Sequence, residues 1–253
     1  MTVDGTRRQL AGLWPQFGLL IETPRLQLRL PREDELPALT RAARDLADPA
    51  GPRLQMPWMY EPSPAMERRL LQRHWRALAR WEPASWHLPL AVFLAGEPVG
   101  MQDLWAEDFA VRRSVGTGSW VTRGRQGRGY GTEARAAVLE LAFGRLNAAE
   151  ALTEYVEGNH ASERVSRKLG YASNGQRAAS RDGTGRVTEY QLRLDRPAWE
   201  ASNRHEQVSI TGLGPCLPML GLGASDDPGP GGRPPGHHHG GQEPAPHAAE
   251  ETA

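Results

Sequence analysis

One stretch constrains this chain more than any other. It is a glycine-spaced turn, Gln126-Gly127-Arg128-Gly129-Tyr130-Gly131-Thr132, set between a strand-like segment at 115–122 and the strongest helical pattern in the sequence, at 128–146. Glycines let a backbone turn left-handed and approach a ligand closely, and a helix N-terminus offers unpaired N–H groups at the positive end of its dipole. The turn therefore predicts an anion, a phosphate above all, at the head of that helix. Glycines at such a corner can also serve packing alone, and spacing does not choose between the two. Two other phosphate motifs fail on residue identity. A dinucleotide fingerprint counted from Gly127 needs glycine where Thr132 stands, and a nucleotide P-loop needs Gly-Lys-Ser/Thr, whereas the single lysine, Lys168, precedes Leu169.

The flanking patterns give the fold class. Leu26-Gln27-Leu28-Arg29-Leu30 alternates like a half-buried strand, and Glu33, Asp34 and Glu35 suit the first turn of a helix running to about 47. A second helix is expected at 63–81, then strands at 88–94, 98–105 and 115–122, with Gly96-Glu97 as a hairpin turn. In the helix at 128–146, Ala134, Val138, Leu141, Ala142 and Leu146 form one stripe, with Arg135 and Glu140 on the other side. A strand at 152–156, a helix at 159–169 ended by Gly170, and a pair of strands around Asp182-Gly183 follow. The class is mixed α+β. Residues 1–18 read as a loose lead-in, 19–222 as the domain with a last strand within 206–222, and the Gly/Pro/His-rich stretch 223–253 as a disordered tail.

Charge and cysteine content narrow the functions. Lys+Arg and Asp+Glu balance at 30 each, so net charge points to neither a nucleic-acid nor a membrane partner. With only one lysine, the arginine excess reads as composition bias rather than as phosphate recognition. No apolar run approaches the ~20 residues that span a bilayer. The single cysteine, Cys216, excludes an internal disulfide framework and a multi-cysteine zinc site, and fits a reducing, cytoplasmic compartment; no metal is expected.

A second constellation runs from Asn159 and Ser162 through Val165, Lys168, Leu169 and Gly170 to Tyr171. Taken alone, Asn159 reads as a helix cap bonding the Ser162 N–H. Taken with the turn, the pattern resembles the Gcn5-related N-acetyltransferase (GNAT) superfamily, and within it the type that acetylates ribosomal-protein alanines. Gln126, Gly129 and Gly131 match the family's Q/R-x-x-G-x-G/A turn, and 159–171 matches its N-x-x-S-x-x-v-x-x-k-l-G-F/Y stretch. Thr23-Pro24-Arg25-Leu26 matches its first strand, and the order of elements agrees over about 19–195. The chain is also similar, from 14 to about 222, to a mycobacterial member described as a succinyl-CoA transferase, in stretches that include Gly118-Ser119-Trp120 and 135–139.

The resemblance implies a central mixed sheet of about seven strands, splayed in the middle and flanked by about four helices. It implies an acyl-CoA donor, acetyl-CoA or succinyl-CoA, lying in the splay, and an amine acceptor on a small molecule or protein. The backbone at Trp120 and Val121 would hold the pantetheine arm, 126–132 the diphosphate, and Asn159 the pantetheine, while Ser162 would protonate the departing thiolate. The family often dimerises, so a homodimer is expected. Assistance by a carboxylate acting through water would suit removal of the amine proton. Asp103, Glu107 and Asp108 are candidates, with Asp108 taken provisionally as the catalytic one; Glu133 and Glu189 are weaker. Arg112 and Arg113 are candidates for a succinyl carboxylate. His74, His87 and His160 read as packing or surface residues. A non-catalytic acyl-CoA sensor of the same fold is the alternative.

Overall fold

Alternating apolar side chains build one sheet, and helices bury its two faces unequally. The computed structural model describes residues 3–44, 46, 56–181, 185–202 and 207–223. Its elements in chain order are α1 (Val3–Leu13), β1 (Leu20–Glu22), β2 (Leu26–Arg29), α2 (Leu36–Arg44), α3 (Ala65–Ala79), β3 (Ser85–Leu94), β4 (Glu97–Glu107), α4 (Phe109–Arg112), β5 (Ser114–Val121) and α5 (Tyr130–Leu139). They continue with β6 (Glu150–Val156), α6 (His160–Lys168), β7 (Ala172–Arg181), β8 (Gly185–Asp195), α7 (Arg196–Ala201) and β9 (Ser209–Thr211). The strands lie in the order β7-β8-β6-β5-β4-β3-β2-β1-β9. Every neighbouring pair is antiparallel except β5 with β6.

The expected mixed α+β class holds, with nine strands in place of about seven. The count rises where Thr23 bonds the Leu26 N–H and turns the first strand into the hairpin β1–β2, and where the last strand expected within 206–222 forms as β9 and pairs with β1. The segment read as a loose lead-in carries α1 and a 3-10 turn at Pro15–Phe17. Trp14 packs edge-on against Trp81 at 6.2 Å and Gln16 is buried, which ties this segment to the domain. The expected tail, apart from Gly223, and the end of the first helix lie outside the described residues.

Helix α5 lies on the face carrying Leu88, Leu90, Val92 and Leu104. Its residues from Glu133 to Leu139 are all buried, Arg135 among them, so the expected polar side is not a solvent face. The reason is tertiary: α6 and the β1–β2 hairpin close over the side of α5 turned away from the sheet. The helix continues as a π-helical segment, Glu140–Arg145, in which the Leu146 N–H reaches back five residues to the Leu141 carbonyl at 2.9 Å. On the opposite face, α2 and α3 cover Phe93, Met101 and Trp120 and leave Trp105 36% exposed.

Candidate active site

The centre of the sheet opens. Strands β5 and β6 pair in parallel only at Ser114–Glu150, Val115–Ala151 and Gly116–Leu152. In the next row hydroxyls take over from the ladder: Thr117 Oγ1 donates to the Leu152 carbonyl at 3.3 Å, and Thr153 Oγ1 donates to the Thr117 carbonyl at 2.9 Å. Thr117 Oγ1 also lies 3.1 Å from the buried Tyr171 hydroxyl. Burial pushes that phenol above its ordinary pKa, against the pull of Arg135 and of the Thr117 bond. Beyond this fork β5 pairs only with β4, and β6 only with β8.

Alternation along β5 decides which backbone groups face the gap. The Thr122 N–H turns to β4, donating to Val99, whereas the Thr117 carbonyl turns towards β6. Ser119 and Val121 share the orientation of Thr117, and Trp120 shares that of Thr122. The polar backbone of Trp120 therefore faces β4, and its side chain packs among Phe93 and Met101. Ser119, which the sequence offers only within the Gly118-Ser119-Trp120 stretch, stands on the open edge where the backbone of Trp120 is expected. Only the strand register could have revealed this.

The gap leads to the glycine turn. Gly127 (φ +74) and Gly129 (φ +86) both adopt the left-handed region that the sequence argument required. Gln126 folds back, its Nε2 donating to the Val121 carbonyl at 2.8 Å, which fastens the turn to the strand edge. Gly129 caps α5 without a side-chain bond, and the first intrahelical N–H to pair is that of Glu133, to Gly129, at 3.0 Å. The N–H groups of Tyr130, Gly131 and Thr132 have no acceptor among the described residues. Residues from Arg123 to Gly129 are exposed. Gly131 is not sterically required, since a Cβ there would meet Val121 Cγ2 at an ordinary contact distance of 3.7 Å.

Glu133 has a structural task. Its buried carboxylate accepts from Thr23 Oγ1 at 2.6 Å and from Arg25 Nε at 2.6 Å, while Arg25 also donates to the Arg128 carbonyl at 3.1 Å. This clamp holds the β1–β2 hairpin against the turn. Glu189 is likewise occupied, buried and paired with Arg177.

Helix α6 forms the other wall. Asn159 caps it, Oδ1 accepting the Ser162 N–H at 3.2 Å, as read from the sequence alone. Ser162 is half-buried, and its carbonyl accepts from Ser166 Oγ at 3.0 Å. Arg135 spans the floor between the walls, donating to Ser119 Oγ and to Ser166 Oγ, each at 2.9 Å. Burial pulls its pKa below the usual arginine value.

On the opposite face a polar cluster lies beside the same arm of β5. Asp103 on β4 pairs with Gly118. It is 5% exposed, and its carboxylate lies 2.9 Å from His87 Nε2 and accepts from Arg73 at 3.2 Å. Burial raises the Asp103 pKa, but His87 and Arg73 outweigh it and hold the group below the ordinary value. His74, also buried here, is pushed down to about 4 by burial, which the charge of Asp103 only partly opposes. The Trp105 ring lies over Gly116 and Gly118, where a Cβ at Gly116 would come within 2.1 Å of it. Beside it a cavity of about 370 Å³ is lined by Trp105, Glu107, Arg112, Gly116, Leu152 and Glu154.

The other sequence candidates lie apart from this cluster. Asp108 is exposed in a left-handed corner (φ 47) after β4, and Glu107 is exposed at the end of that strand. Arg113 is structural, donating to the Leu146 carbonyl at 3.2 Å. Sequence reasoning missed His87 as a chemical group because its partner stands 16 residues away on the neighbouring strand. No group of His, Cys, Asp and Glu suited to a metal occurs among the described residues, and no described helix is long and apolar enough to cross a membrane.

Comparison with known proteins bears on this geometry. The family profile described as "Acetyltransferase (GNAT) domain" matches residues 25–172. Among solved structures, Mycobacterium smegmatis RimJ in complex with a CoA disulfide aligns with a TM-score of 0.59 at 20% identity, covering 75% of this chain and 91% of that one. RimL, a ribosomal L7/L12 alpha-N-protein acetyltransferase in complex with coenzyme A, aligns at 0.58 and 16% identity, covering 71% and 99%. A GCN5-related N-acetyltransferase from Brucella melitensis aligns at 0.58 and 20% identity, covering 72% and 80%. At these identities the structural likeness speaks for the fold.

Proposed function

The chain belongs to the GNAT acetyltransferase family, and from that premise we propose that it transfers an acetyl group from acetyl-CoA to a primary amine. One observation carries this reading: the open edge of β5 leads, through the glycine turn that Gln126 fastens to it, to the free N–H groups at the head of α5. Such an edge suits the amides of a pantetheine arm, and such a helix head suits a diphosphate. In this reading Ser119 and Val121 hold the arm, with Trp120 serving packing. Gly127, Arg128, Gly129, Tyr130, Gly131 and Thr132 cradle the diphosphate, and Gln126 fixes the turn. Asn159 caps α6 and keeps its amide NH₂ for the pantetheine, and Ser162 protonates the leaving sulfur.

The amine approaches from the Trp105 face. An amine attacks only when neutral, and an α-amine titrates near ~7.7–8.0 against ~10.4 for lysine, so a modest base suffices. Of the proposed proton acceptors, Asp103 acting through His87 fits better than Asp108. Asp103 is a buried, organised carboxylate beside the fork, and His87 presents Nδ1, which has no hydrogen-bond partner among the described residues. The nitrogen lone pair forms the amide, the C–S bond breaks, and the amine proton passes to His87. Succinyl transfer is a second reading. Arg112 lines the cavity beside Gly116 and Leu152, and in this reading it would receive the donor carboxylate.

Thiol release from acetyl-CoA and succinyl-CoA, with a panel of peptides bearing different N-terminal residues and small amines, tests this reading. Amine-dependent release that falls in Ser162→Ala while acetyl-CoA binding persists supports it. Tight binding without release on any amine supports a sensor instead, and absence of binding sinks both.

A further inference from the structure

Arg135 is the buried charge that the acyl-transfer reading leaves unused. It is 2% exposed, and among the described residues no carboxylate meets it; Ser119 and Ser166 take its terminal nitrogens, and Nε has no hydrogen-bond partner. Desolvating a guanidinium without a counter-ion is costly, and an apolar side chain of similar volume would pack there at lower cost. The position is informative: Ser119 lies on the arm of β5 that has parted from β6, and Ser166 lies on α6. Ser166 relays the contact to the carbonyl of Ser162 at 3.0 Å. One cation thus touches both walls of the cleft and the helical turn that carries Ser162.

We propose that Arg135 is a positioning residue for acyl transfer: it pins the free arm of β5 to α6 and sets a fixed positive charge beneath the thioester, favouring the sulfur as a departing thiolate. The proposal rests on the acyl-CoA reading above. The electron pair of the broken C–S bond goes to sulfur, Ser162 delivers the proton, and Arg135 keeps its own proton throughout. A charge fixed before the reaction stabilises the developing anion more than the neutral thioester, so its removal should slow turnover more than it weakens binding.

The test compares wild type with Arg135→Met, Arg135→Lys and Ser166→Ala, reading acetyl-CoA affinity by calorimetry and turnover on an amine accepted by the wild type. Arg135→Met is expected to lower kcat by ~100-fold with acetyl-CoA affinity within ~3-fold, the scale seen when one preorganised donor to a developing anion is lost. Arg135→Lys should recover about tenfold, because it restores charge without the two-pronged geometry. Ser166→Ala should lower kcat by about fivefold, and it carries the test with Arg135→Lys if Arg135→Met does not fold. The ratio of affinities for CoA and desulfo-CoA, which reads the charge under the sulfur, should fall in Arg135→Met. Unchanged kcat, or kcat and affinity lost in equal proportion with no rescue by lysine, overturns the proposal. Failure of the wild type itself to bind acetyl-CoA or release CoA overturns the acyl-transfer reading, and this proposal with it.

Discussion

The two faces of the β5 arm are built from different material. On the α5 side, the groups proposed to face the donor are main-chain: the edge of Ser119 and Val121 and the helix head after Gly129. On the Trp105 side, the groups proposed to face the acceptor are side chains gathered from separate elements, Arg73 from α3, His87 from β3 and Asp103 from β4. A backbone site needs only a few glycines in one short run, so it can serve a donor held in common by many proteins. A side-chain site can be rebuilt one residue at a time, which suits an acceptor that changes from one protein to the next.

That contrast can be broken by experiment. The largest expected effect is on the side-chain face: His87→Ala or Asp103→Asn should lower kcat/KM by ~100-fold, the usual range for a positioned proton acceptor, with acetyl-CoA affinity little changed. Asp108→Ala, at its exposed corner, should stay within about twofold in the same assay. On the backbone face Gly129→Val should weaken acetyl-CoA binding by ~30-fold, about 2 kcal/mol, because a β-branched residue resists φ +86. Calorimetry would show it, and an effect on turnover alone would erase the distinction between the faces.

Stability offers smaller readouts. The folded chain protonates His74 only near pH 4, whereas an exposed histidine does so near 6.5. The unfolded chain therefore binds the extra proton first, and stability is lost as pH falls from about 6.5 towards 4, by about 3 kcal/mol. Denaturant unfolding of His74→Phe against wild type over that window should show the loss flattened. Removing the α6 cap with Asn159→Ala should cost about 1 kcal/mol by the same method. A larger loss of acetyl-CoA affinity than of stability would show that the amide NH₂ also touches the donor.

The same contrast explains what could be read from the sequence. Gly127 and Gly129 announce left-handed turns by their identity, and Asn159 announces a cap by its distance from Ser162, so the local backbone on this side is legible. The alternation of β4 showed a strand but not that Asp103 would meet His87, because register across β3 and β4 is set by packing and not by local pattern. Arg135 misled for a related reason. Helical periodicity assigns the side opposite the apolar stripe to water, and here α6 and the β1–β2 hairpin occupy that side. Trp120 lies in a strand, as its segment predicts, but pleat direction, which sequence does not reveal, turns its backbone to β4.

The account turns on a diphosphate gripped at the head of α5. Calorimetric titration of the wild-type protein with coenzyme A and, separately, with pantetheine reads that grip together with the adenosine 3′-phosphate, since the two share the arm and the thiol, and Gly129→Val separates the turn's share. The account predicts binding of coenzyme A at least ~100-fold tighter than pantetheine, a difference of about 2.7 kcal/mol, and a smaller gap in Gly129→Val. Equal affinities, or no binding of coenzyme A, would contradict it.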